Sequence, residues 1–151
     1  MARAYHGYSN ATNTVSTTVP MFTVVGAATF RLQLYQWISG SDATPADAAT
    51  KLGFRRISAR GTATTSVTAN ALDPADPASL ALYDTVWSVN PTITASSEVL
   101  QVPHHQRASF RWDAAPGFEI IVPATAGAGL ALMSIVASAT ANYAWSSYWR
   151  E

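Results

Sequence analysis

Apolar and polar residues alternate along much of this chain, the period of a strand with one face buried. In residues 29–39, Phe30, Leu32 and Leu34 share one face while Arg31, Gln33 and Tyr35 share the other. Residues 81–89 set Leu82, Asp84, Val86 and Ser88 against Tyr83, Thr85, Trp87 and Val89, so bulky groups occupy both faces. Such a strand is flanked on two sides, by core on one and by a partner or a loop on the other. The richest β-sequence lies in residues 127–151, where Tyr143, Trp145 and Trp149 fall on one alternating face. That pattern predicts a C-terminal segment tied into a sheet.

Shorter strand signals fill the remainder. Residues 14–18 are β-branched and end before Pro20; residues 21–25 and 51–60 follow, the latter stopping at Gly61. Residues 97–102 read as a strand closed by Pro103. Residues 108–112 and 118–122 read as a hairpin through Asp113-Ala114-Ala115-Pro116-Gly117, and the tail divides into strands at 130–136 and 139–149. Between them, residues 61–79 are Thr-rich and then carry Pro74 and Pro77, which donate no backbone hydrogen bond. That stretch is expected as a long surface excursion. The sum is an all-β chain, a jelly roll or β-sandwich of about eight antiparallel strands. Residues 1–12, with Tyr5-His6-Gly7-Tyr8, contain little to fold on their own and are expected as an extended N-terminal arm that orders on a neighbour. Residues 13–151 then form a single domain.

Composition narrows the function. Charged residues make up 12% of the 151 and hydrophobic ones 48%, so the charged share is about half that of an average soluble domain. Net charge is zero, which gives no steering toward polyanions and argues against a nucleic-acid partner. Cysteine is absent, removing disulfides, thiol catalysis and thiolate metal sites. The longest apolar-leaning segment, residues 129–139, is far short of the roughly 20 residues of a membrane span. The first residues lack the basic run and apolar stretch of a secretory signal, an expectation against export. Lys51 stands alone beside eight arginines, a bias compatible with planar contacts at interfaces.

Reactive constellations are sparse. Asp73 and Asp76 are close in sequence but lie in the Pro-rich excursion, where they read as turn and cap residues. His104 and His105 are adjacent, so on a strand they point to opposite faces and would not chelate one metal together. No serine is framed as G-x-S-x-G, and the glycines at 127 and 129 lack the further glycine and helix of a dinucleotide loop. The expectation is therefore no enzyme, no cofactor and no metal. Trp37, Trp87, Trp112, Trp145 and Trp149, with six tyrosines, can fill a core, anchor subunit contacts or line a carbohydrate platform.

The succession of MFTVVGAATFRLQLYQW, RRISARGTATT running into NALDPADPAS, and FEIIVPATAGAGLALMSIVASATANYAWSSYWRE resembles small β-rich virion proteins of tailed bacteriophages. Within that group it is most similar to the jelly-roll decoration, or cement, proteins of the outer capsid surface. The resemblance rests most on residues 72–79 and on the GLAL strand followed by Tyr148-Trp149-Arg150-Glu151. It implies a non-enzymatic virion protein, made in the host cytoplasm, that assembles as a homotrimer and bridges neighbouring major capsid protein subunits. Candidate contacts to the capsid or to other copies are Arg3, Tyr5, His6 and Tyr8 in the arm, with Trp87, His104, His105, Arg107 and Trp149. Other phage components (tail, neck or head-fibre base) and a carbohydrate-binding jelly-roll module are the alternatives.

Overall fold

The computed structural model describes residues 2–151 except 15, 42, 43, 46 and 137–139, and leaves the side chains of residues 10–14 and 140–142 undescribed. Twelve strands follow one another: β1 (Ala4–Thr14), β2 (Phe22–Val25), β3 (Leu32–Gly40), β4 (Ala49–Ala59), β5 (Thr62–Val67), β6 (Asn70–Ala71), β7 (Leu82–Val89), β8 (Thr92–His105), β9 (Phe110–Asp113), β10 (Ile120–Val122), β11 (Gly129–Ser134) and β12 (Thr140–Arg150). They form two antiparallel sheets packed as a β-sandwich. One runs β10-β3-β12-β1-β6 with β9 also on β3; the other runs β5-β7-β2-β11-β4-β8.

The pairing is nested. β1 pairs β12, β2 pairs β11, β3 pairs β10 and β9, and β4 pairs β8. The first part of the chain thus lies along the last part in reverse order, like a ribbon doubled back on itself. β5, β6 and β7 interrupt that scheme as an insertion, with β7 and β5 extending one sheet past β2 while β6 extends the other past β1.

Three expectations need correction. Residues 4–12, read as an arm ordering on a neighbour, belong to β1, a strand held along its whole length by β12 from the same chain and, at Tyr5 and His6 only, by β6 on its other side. The expected domain boundary at residue 12 therefore falls inside a strand. Residues 110–113 and 120–122 do not form a hairpin: both pair with β3, so they are one edge strand interrupted by a six-residue excursion, 114–119. β8 continues through Pro103 to His105, where Pro103 pairs Lys51. As the sheet's edge strand, β8 has one unpaired side on which a missing N–H costs nothing.

Aromatic rings fill the space between the sheets. Phe22 stacks on Tyr83 at 5.0 Å and on Trp145 at 5.8 Å, and Tyr83 lies nearly parallel to Trp149 at 5.9 Å. Trp37 meets Phe54 edge-on at 5.5 Å. The shared face of Tyr143, Trp145 and Trp149 is the inward one, since all three are buried. Gly7 is what lets Tyr83 stack: a Cβ there would sit 2.7 Å from the tyrosine ring. β3 carries a bulge, because Tyr148 pairs Gln36 while Trp149 pairs Leu34, leaving Tyr35 extra. The slip of one residue turns both Leu34 and Trp37 inward.

The insertion is clasped from outside the core. Asp84 on β7 has 0% exposure and accepts hydrogen bonds from Arg60 Nε at 2.6 Å and Nη2 at 2.7 Å, and from the Ser66 hydroxyl at 2.6 Å. This forked pair ties the β4–β5 connection and β5 to β7. Within the chain the second face of residues 81–89 is covered at Asp84 and open at Leu82 and Val86.

Candidate functional site

Strand alternation sends every other residue of the β1-β12-β3 sheet outward, and there the outward rings form a row. Tyr8 stacks on His6 at 5.3 Å, His6 on Tyr148 at 4.6 Å, and Tyr148 approaches Tyr35 at 6.4 Å. The Arg150 guanidinium caps the row 4.9 Å above the Tyr35 ring and faces Glu119 at 3.8 Å. Burial among these rings pushes the His6 pKa down, so its imidazole is neutral at pH 7 and packs as an aromatic. Burial likewise pushes Tyr35 up, offset in part by Arg150.

Where the row ends at Tyr8, the described outward side chains of β12 and β3 become small. Ser146 lies across from Tyr8, and Ala144 lies across from Gly40. The result is a shallow trough of about 460 Å³ with Gly40, Ala144, Ser146 and Ser109 on its surface and Tyr8 and Ile38 at its border. Tyr8 is 49% exposed, with His6 stacked on one side of its ring.

The predicted contact residues scatter. Tyr5 and Trp149 are core residues: Tyr5 stacks on Trp149 at 6.4 Å and donates its hydroxyl to the Pro77 carbonyl at 3.1 Å. His104 is also buried, edge-on to Tyr143 at 5.2 Å, with neither ring nitrogen hydrogen-bonded. These three are corrected, since no partner can reach them without opening the sandwich. His105 points the other way, as expected of an adjacent strand residue, and meets Asp47 at 3.0 Å, with Arg107 3.9 Å from the same carboxylate. Arg3 is exposed and 3.6 Å from Asp76. His6 and Tyr8 belong to the ring row, and Trp87 is half-buried at the far end of β7. Sequence reading missed Tyr35, Tyr148 and Arg150. Their signal was available in β12: if Trp149 points inward, Tyr148 and Arg150 must point outward.

Charges are few and mostly matched within the chain. The described residues make six arginine–carboxylate ion pairs, among them Arg55–Glu98 at 2.6 Å and Arg111–Asp113 at 2.6 Å. Glu151 accepts from the Leu80 and Ala81 backbone N–H groups, both at 3.1 Å, and from the Trp149 indole at 3.2 Å. Such matching leaves the surface with little field of its own. Among the described residues no three His, Asp or Glu side chains gather as a metal site.

Apolar groups remain uncovered beside these matched charges. Leu72, Leu80 and Leu82 are 51%, 59% and 42% exposed. Leu72 and Leu80 flank the chain ends, since Leu72 N–H bonds the Ala4 carbonyl, Leu80 N–H bonds Glu151, and Arg3 and Glu151 exchange two backbone hydrogen bonds. Elsewhere, the 114–119 excursion turns at Gly117, with φ of +86°, and presents Phe118 at 79% exposure. No family model, curated protein or solved structure matches the chain.

Proposed function

We propose that this chain is a non-catalytic virion protein, a jelly-roll decoration protein that assembles as a homotrimer and bridges major capsid protein subunits of a tailed phage. The sequence resemblance supports it, and so does the nested strand order. With β5–β7 set aside as an insertion, β10-β3-β12-β1 lies opposite β2-β11-β4-β8, the arrangement made by rolling a doubled ribbon into two four-stranded sheets.

The observation that carries the functional half is the apolar surface around Leu72, Leu80 and Leu82, beside charges already matched within the chain. Burying the exposed half of each leucine contributes about 1 kcal/mol. Around 3 kcal/mol per protomer, repeated across symmetric seams, is the way a cement gains strength from multiplicity instead of chemistry. Light scattering at micromolar concentration tests the assembly, and co-sedimentation with mature capsids tests the location. A trimer that binds capsids, and that Leu80→Glu with Leu82→Glu dissociates without loss of fold, is the expected result. A wild-type monomer that ignores capsids removes the reading.

A further inference from the structure

We infer that the trough beside Tyr8 is a binding site for a neutral sugar residue of a glycan chain. This goes beyond the assembly reading and stands without it, because it rests on a different face and on different residues.

The chemistry of the border and floor selects the ligand. Tyr8 offers one ring face, its other side being stacked by His6 at 5.3 Å. A pyranose has a flat apolar side made of C–H groups that packs on such a face. Ser146 and Ser109 supply hydroxyls that can both donate to and accept from sugar hydroxyls. Gly40 and Ala144, paired across β3 and β12, keep the floor low enough for a ring to lie on it. A volume of about 460 Å³ lies within the range of small-molecule sites, roughly 300–1,000 Å³.

Competing ligands fit less well. None of the described lining side chains is charged, so phosphate, nucleic acid and acidic glycans find no counter-charge among them. A peptide strand cannot add to the floor strand β12, which is paired on both sides, to β1 and to β3, and the open edge of β1 beyond His6 faces away from β12 and so away from the floor. A purely apolar ligand would leave the two serine hydroxyls without partners. The small residues that build the site come from two strands, β3 and β12, and a loop, and a bulkier side chain at position 144 would close it.

Saturation-transfer NMR on the full chain, with maltohexaose, cellohexaose, chitohexaose and mannohexaose as probes, tests the site, and calorimetry gives the affinity. At least one probe is expected to receive saturation and to bind equally well in low and high salt. Tyr8→Ala should weaken binding about tenfold, the loss of one stacked ring, while Tyr8→Phe keeps it. Ala144→Trp should abolish it. Phe118→Ser, remote from the trough, should leave sugar binding unchanged whatever it does to capsid binding. Absence of transfer to all four probes overturns the inference, as does binding that survives Ala144→Trp or that appears only with an acidic oligosaccharide.

Discussion

Replacing Arg60 with alanine tests whether the clasp on the insertion is a structural keystone. Asp84 is fully buried, and Arg60 supplies two of its three hydrogen bonds, at 2.6 and 2.7 Å. Arg60→Ala leaves a buried carboxylate with only the Ser66 hydroxyl. Removing one partner of a buried ion pair costs about 3–5 kcal/mol. The Arg60 side chain is 33% exposed, so water already screens part of the interaction and the lower end, about 3 kcal/mol, applies. For a chain of 151 residues, each kcal/mol moves Tm by about 2–4 °C, which gives a fall of about 6–12 °C. Differential scanning calorimetry with urea unfolding supplies both numbers. The decisive measurement is the double variant. Adding Asp84→Asn to Arg60→Ala removes the stranded charge while keeping its shape, so the double variant should be more stable than Arg60→Ala alone by at least about 1 kcal/mol. A loss under 1 kcal/mol in Arg60→Ala, or a double variant weaker than the single one, refutes the argument.

Two further outcomes follow from the core. At Gly129 a Cβ would lie 2.4 Å from the Val24 carbonyl oxygen, so Gly129→Ala should force β11 away from β2 and cost several kcal/mol, about 3 or more, by urea unfolding. Burial, and then the neighbouring His105, holds the His104 pKa below its usual value, and burial alone does the same for His6. The unfolded chain therefore binds more protons, and stability present above about pH 6.5 is lost as pH falls through the lowered folded values. Unfolding midpoints measured from pH 7 to 5 should drop, and His104→Phe should flatten the drop. The same substitution should be neutral or stabilising at pH 7, because it removes two nitrogens that have no hydrogen-bond partner. A steep drop that persists in His104→Phe would point to other groups.

The strands themselves were legible because their inward positions are large. β12 shows this best, with Tyr143, Trp145 and Trp149 on one face as their spacing predicts, and that face is the core. β1 was misread for the opposite reason. Its inward positions after Tyr5 are Gly7 and Ser9, small because Tyr83 and Trp149 occupy the volume in front of Gly7. A strand whose space is filled from the facing sheet looks polar when read alone. The Pro116-Gly117 turn was a sound local signal, but local geometry does not choose partners, and β3 took both flanking segments. The trough was invisible for a related reason: Gly40, Ser109, Ala144 and Ser146 carry no periodicity, and only strand register brings them together.

The nested pairing has a consequence for how the polypeptide is made. The eleven-residue ladder between β1 and β12 joins residues 4–14 to residues 140–150, which are synthesised more than a hundred residues later. Until residue 150 emerges, the edge of β1 that β12 covers stays bare, and the closing of the sandwich must await the synthesis of β12. Nascent chains held close together on a polysome can trade that edge, so strand exchange between copies is the characteristic failure to look for when expression is strong.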